Sequence, residues 1–399
     1  MPSVLFRPEG LCYNGSVMKK ETIWTYNFTL LTLITFVSYL GQNSIYSLLQ
    51  LHMSDLGTSG ALTGFVIGIS SGLALLSRPF AGSILDSARK KPLLILCTAL
   101  YSVALYGYAV SVNVALTIIF RVIFGLAMVF SGALTMAMAT EALPEGKIGS
   151  GIGVFSLFAV ISTALGPMIS LAFQERFGVP AAFILCGTFN TIGLALCFLL
   201  RYPNEEKKKI RIDVRGAFAK EAAMPSVLMF LLQLSAAGIT SFLVLFVESR
   251  GVTGMPLYYA ANCIVLAVLR PFIGRISDRY GITRLLLPSI IIFAITLAFL
   301  PMVKSTGMLI GAAVLQAIGY GTAYPSAQAL CMKLTPPEKH GAGSNTFYLC
   351  FDAGLFIGPT LAGAIKDAAG FGTMYIVSIV PLAAALIMVL LWSRKHKGL

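Results

Sequence analysis

The segment LLLPSIIIFAITLAFL, residues 285–300, contains no charge and no alternation of polar and apolar residues. A membrane-spanning barrel strand is about ten residues of alternating polarity, whereas a spanning helix needs about 20 mostly apolar residues, so runs of this kind are read as helices crossing a bilayer. About twelve recur along the 399 residues, near 24–49, 60–85, 93–111, 114–140, 148–173, 180–200, 224–247, 255–276, 285–302, 307–331, 343–365 and 373–392. Between them they leave almost nothing for a soluble domain. Charged residues make up 11% of the chain, against about 25% in an average soluble domain. The expected fold class is an all-α membrane protein of twelve transmembrane helices.

The net charge of +13 raises the question of nucleic acid, but its distribution answers otherwise. With the N-terminus placed in the cytoplasm, Arg78, Arg89, Lys90, Lys91, Lys147, the cluster from Arg201 to Lys220, Arg270 to Arg284, Lys333, Lys339 and Arg394, Lys395 and Lys397 fall inside. Only Arg176, Arg250, Lys304 and Lys366 fall outside. That asymmetry is the positive-inside pattern, and it predicts two cytoplasmic termini and no nucleic-acid partner. The seven cysteines show no CxxC spacing and the three histidines are dispersed, so neither a disulfide framework nor a metal site is implied.

RPFAGSILD at residues 78–86 returns as RPFIGRISD at 270–278, a displacement of 192 residues. In the same register Pro144, Lys147, Gly149 and Gly151 meet Pro336, Lys339, Gly341 and Gly343, and Gly166-Pro167 meets Gly358-Pro359. One register held over about 90 residues marks a duplicated six-helix unit. Six crossings return the chain to the side it started from, so the two pseudo-repeats run parallel, a plan in which a ligand binds midway between the halves. The predicted organisation is an N-terminal extension (1–23), a six-helix bundle (24–200), a cytoplasmic linker (201–223), a second six-helix bundle (224–392) and a tail (393–399).

Twelve helices as six plus six, a charged central loop and the sequence GSILDSARKK (82–91) together resemble the major facilitator superfamily, over nearly the whole chain. The family loop motif, G-x-x-x-D-R-x-G-R-[RK], is kept at Gly82, Asp86, Lys90 and Lys91, with Ser87 and Arg89 as departures; the second copy keeps Gly274, Asp278, Arg279 and Gly281 but ends in Ile282 and Thr283. The resemblance assigns these residues to gating, and a purely topological role is the alternative. RVIFGLA (121–127) is similar to the family's R-x-x-Q-G-x-G element. Gly153, Ser162, Gly166 and Pro167 partly match a pattern associated with antiporters; with Gly354, Gly358 and Pro359 they are read as packing residues of the fifth and eleventh spans, because small residues let helices approach.

A charge at bilayer depth costs at least about 2.5–3.5 kcal/mol on insertion scales, so Arg121 and Asp352, in FYLCFDAGLFIGP, need a reason to exist. At 1.5 Å per residue Arg121 falls roughly 10 Å below the outer end of its span and Asp352 roughly 14 Å above the inner end of its own. Both are expected to face a central cavity, with Asp352 exchanging a proton or binding a cation and Arg121 biasing it or binding an anion. Gln42, Asn43, Gln233, Gln316, Tyr320, Tyr324, Asn345 and Tyr348 are polar groups for lining that cavity, or for interhelical hydrogen bonds.

The resemblance implies a secondary active transporter of the plasma (inner) membrane, functional as a monomer. It would export a small drug-like molecule or metabolite by alternating access, coupled to protons and without a bound cofactor. The alternative is a proton symporter or facilitator importing a nutrient. An enzyme is not expected, since no cluster of catalytic groups and no phosphate-binding loop of the GxxxxGK[ST] type is visible.

Overall fold

The computed structural model describes residues 22–144, 147–202 and 218–395. Twelve helices follow one another: α1 (Tyr26–Asp55), α2 (Gly60–Ser87), α3 (Lys90–Val110), α4 (Val114–Glu141), α5 (Ile148–Phe177), α6 (Val179–Leu199), α7 (Ala223–Ser249), α8 (Met255–Tyr280), α9 (Ile282–Phe299), α10 (Thr306–Leu334), α11 (His340–Val377) and α12 (Val380–Lys395). No strand occurs among the described residues. Among the described residues ten helical segments are long and apolar enough to cross a membrane, α11 and α12 counting together as Pro337–Arg394, and α8 is apolar over the shorter stretch Met255–Arg270. Within α11 the chain leaves helical conformation at Gly370 (φ 80°, ψ 172°). Only glycine enters that region without strain, so the turn between the eleventh and twelfth crossings is made there.

Short connections force clear helix starts. Thr25, Asn113 and Ser305 each sit before a helix and accept a hydrogen bond from the backbone N–H three residues on, at Phe28, Leu116 and Met308. These caps satisfy donors that the first turn of α1, α4 and α10 leaves free. At the start of α9, Gly281 adopts φ 88°, which gives that motif glycine a backbone reason of its own.

The packing repeats with a step of six helices. Within the first half α1 packs on α5 and α6, α3 on α4 and α6, and α2 on α4; within the second α7 packs on α11 and α12, α9 on α10 and α12, and α8 on α10. Equivalent helices meet in equivalent pairs, so the halves are copies of one another, and an even number of crossings in each makes them parallel. They touch each other through α2 with α11, α5 with α8, and α1 with α7.

The glycines of the repeat do different work. A Cβ on Gly354 would lie 2.6 Å from the Cβ of Gln233, and one on Gly358 2.7 Å from the Cβ of Ala237, so α11 presses onto α7 at both. Gly166 sets α5 against the backbone of α1 at Leu40 in the equivalent place. Gly153 departs from the packing expectation, with open space where its Cβ would be. It lies near the start of α5, on a side of the helix that faces no neighbour, whereas Gly151 beside it packs on Leu143.

Candidate functional site

The seam between α2 and α11 carries the most telling geometry. Gly60, Gly64, Gly68 and Gly72 recur every fourth residue and so share one face of α2. A Cβ on Gly68 would lie 2.6 Å from the carbonyl oxygen of Phe356, and one on Gly60 2.8 Å from that of Gly363; Gly64 faces the backbone at Pro359. Helices approach this closely only through residues without side chains. At the end of the seam remote from the termini, the Asp367 carboxylate accepts hydrogen bonds from the backbone N–H groups of Gly60 (2.8 Å) and Ala61 (3.0 Å). A side chain of one half thereby caps a helix of the other, where the helix dipole favours negative charge.

Further down the same seam, Arg78 of α2 forms an ion pair through Nε with Oδ2 of Asp352 on α11. Asp352 is 1% exposed, and the Arg78 guanidinium carbon lies 4.9 Å from the centre of the Tyr348 ring. Tyr348 accepts a hydrogen bond from Nε2 of Gln328 (2.9 Å). Next to it Tyr324 packs on Phe351, with ring centres 5.8 Å apart, and stacks on Tyr320 at 6.3 Å. The Tyr320 hydroxyl donates to Oε1 of Gln233, and that of Tyr258 to Oε1 of Gln316. Tyr320, Tyr324, Tyr348 and Asp352 are therefore gathered in one compartment. Asn345 lies on α11, one turn before Tyr348 and half-buried.

Arg121 is elsewhere. It is fully buried in the first half, donating from Nε to the carbonyl of Val66 (3.1 Å) and from Nη2 to that of Ile67 (2.5 Å), with its guanidinium over the rings of Tyr46 and Phe124. The expectation that Arg121 and Asp352 act on one another is thus corrected. Similar depth says nothing about which face of a helix a side chain occupies, and Arg121 faces α2. Arg78, read from the sequence as a cytoplasmic-side charge, is the actual partner of Asp352.

Of the α1 polar residues, Asn43 donates to the carbonyl of Tyr39 in its own helix (2.9 Å) and the Nε2 of Gln42 is buried without a partner. Sequence reasoning passed over two residues that join the halves. Ser47 shares a hydrogen bond with the Tyr259 hydroxyl of α8 (2.7 Å), and Gln50 Oε1 accepts from the backbone N–H of Val244 on α7 (3.2 Å). Among the motif residues, Lys90 pairs with Glu141 (2.5 Å) and Lys91 donates to the carbonyls of Leu200 (2.7 Å) and Phe198 (3.1 Å). Both lysines fasten the first half to itself. The side chains and contacts at Gly82, Asp86, Gly274, Asp278 and Arg279 lie outside the described residues, as do residues 1–21, 203–217 and 396–399.

Comparison with known proteins converges with this geometry. The family profile of the Major Facilitator Superfamily matches residues 31–287 and 226–398. The chain is similar to the multi-drug resistance efflux pump PmrA homolog of Lactococcus lactis, 24% identical over 386 residues, covering 90% of this chain and 93% of the relative. It is equally similar to the staphylopine export protein of Staphylococcus aureus, 24% identical over 383 residues with 90% and 94% covered. In fold it matches a point mutant of the nucleoside transporter NupG with TM-score 0.79 at 16% identity, covering 91% of this chain and 99% of that one. A bacterial homolog of the human lysosomal transporter Spinster, solved inward-facing and unoccupied, matches with TM-score 0.76 at 15% identity and coverages of 92% and 96%. Two parallel six-helix halves meeting along α2 and α11, and a family profile spanning nearly the whole chain, identify it as a member of the major facilitator superfamily, a family of multi-pass membrane transport proteins rather than enzymes.

Proposed function

We propose that this protein exports a small amphipathic drug-like molecule or metabolite across the plasma membrane in exchange for protons, by alternating access, as a monomer with both termini in the cytoplasm. The observation that carries the coupling is the Arg78–Asp352 pair. Asp352 is the carboxylate that sits deep inside a helix among the described residues, and its partner belongs to the other half. Protonating Asp352 removes the attraction that holds the halves together on this seam, and deprotonation restores it. A titrating group placed across a moving interface lets proton binding bias the two access states, as differential binding to two conformations requires.

In this conformation the α2–α11 seam is closed at the end remote from the termini, where Asp367 of one half caps α2 of the other. The two relatives named as exporters support the outward direction of transport.

The experiment is flux into proteoliposomes with a panel of drugs and metabolites under an imposed pH gradient. Acid inside should drive accumulation of a substrate, and Asp352→Asn should remove the dependence on the gradient while leaving exchange. Accumulation driven only by acid outside would make the protein a symporter and overturn the reading, and so would gradient dependence that survives in Asp352→Asn.

A further inference from the structure

The two halves are copies, yet the Arg78–Asp352 pair is not copied. Arg78 has its equivalent in Arg270 on α8, but the residue equivalent to Asp352, 192 positions earlier, is Val160. Among the described residues no carboxylate lies within ion-pair distance of Arg270. Of the arginines inside the helices, Arg78 is committed to Asp352 and Arg121 to carbonyls of α2. Among the described residues Arg270 has no hydrogen-bond or ion-pair partner, and it is exposed.

That exposure is not toward lipid. The lipid-facing side of α8 is drawn by Ile264, Val268 and Phe272, 64%, 58% and 50% exposed. At about 100° per residue Arg270 stands about 160° round the helix from both Val268 and Phe272. It lies instead about 20° from Tyr259, whose hydroxyl meets Ser47 across the centre of the molecule. One turn before it, Leu266 packs against Gly321 of α10. Tyr324 on the same helix lies within electrostatic range of both Arg270 and Arg78. Arg270 therefore opens toward Tyr324, which stacks on Tyr320 at the edge of the aromatic compartment.

We propose that Arg270 anchors a carboxylate on an amphipathic aromatic substrate in the cavity between the halves. This rests on the transport reading above and names the substrate class. A guanidinium presents two parallel donors that match a carboxylate, and it supplies the opposite charge that an anion entering a desolvated site requires. The tyrosine rings beside it offer apolar faces for the rest of the ligand and hydroxyls for its orientation. The duplication explains the difference: the second half supplies a carboxylate, Asp352, to the arginine of the first, whereas the first half offers Val160 at the equivalent position and leaves that place beside Arg270 to the ligand.

The test uses the purified full-length chain and three probes on one ring system: naphthaleneacetate, naphthaleneacetamide and naphthylethylamine. The acetate should bind at least about tenfold more tightly than the amide or the amine. Arg270→Gln should reduce its affinity to that of the amide, Arg270→Lys should keep part of the preference, and Arg270→Glu should transfer it to the amine. An unchanged melting temperature without ligand shows that each variant is folded, as expected when an unpaired charge is removed from an apolar helix. Equal binding of the three probes, or an acetate preference that survives in Arg270→Gln, overturns the assignment. Preference without flux in vesicles would refute transport and leave the anion site standing; flux without preference would do the reverse.

Discussion

Removing either member of the Arg78–Asp352 pair should destabilise the closed seam, and removing both should cost less than the two losses combined. Breaking a fully buried ion pair by deleting one partner costs about 3–5 kcal/mol, because the remaining charge is stranded. Here the side chain of Asp352 is 2% exposed but that of Arg78 is 27%, so water reaches the guanidinium and the cost falls to about 1–3 kcal/mol. Such energies correspond to about a 5- to 150-fold change in the equilibrium between joined and parted halves. Arg78→Gln strands the better-buried charge and should be the more damaging change; Asp352→Asn leaves an arginine that still has water and the Tyr348 ring. Unfolding in mixed micelles titrated with sodium dodecyl sulfate, run on both single variants and the double, gives the coupling energy. We expect at least about 1 kcal/mol of non-additivity. Losses that add to within about 0.5 kcal/mol, the margin seen for independent sites, would refute the pairing.

Three further outcomes follow from the same geometry. Gly64→Leu should block the approach of α2 to the α11 backbone at Pro359, so that a cysteine introduced at Leu62 becomes more accessible to a water-soluble maleimide and transport is lost; unchanged labelling and flux would contradict the close contact. Asp367→Ala removes the cap on α2 and should open the same end by about 0.5–2 kcal/mol, the range found for deleting helix caps, read by the same labelling. Arg121→Lys should lower the melting temperature nearly as much as Arg121→Gln, because an ammonium cannot reproduce the fork that reaches Val66 and Ile67 together; full rescue by lysine would show that only the charge matters.

The spans and the duplication were legible because each rests on a quantity the sequence carries directly. Bilayer thickness fixes the length of an apolar run, and two copies keep one register over about 90 residues. The turn at Gly370 and the pressing of α11 onto α7 at Gly354 and Gly358 follow from the same signals. What stayed hidden was the partner of Asp352. Depth can be counted from a helix end, but azimuth cannot, so Arg121 matched Asp352 in depth while facing another helix. Arg78 was masked by the charge-distribution rule, which assigns any arginine near a span's inner end to the headgroups. A usable signal was present in the glycines at 60, 64, 68 and 72: a stripe every fourth residue announces a backbone contact along α2, and extending it down the helix leads toward Arg78. Asp367 gave no such signal, since a cap supplied by the other half has no local pattern.

The central claim is that protonation at Asp352 governs whether the α2–α11 seam is closed. Spin labels at Leu62 and Leu361, near the end of the seam capped by Asp367, report its separation by pulsed electron–electron resonance. The account predicts a short distance at neutral pH, a longer population that grows as the pH is lowered, and a pH-independent distribution weighted to the longer distance in Asp352→Asn. A wild-type distribution that ignores pH, or an Asp352→Asn variant that responds to pH as wild type does, would contradict it.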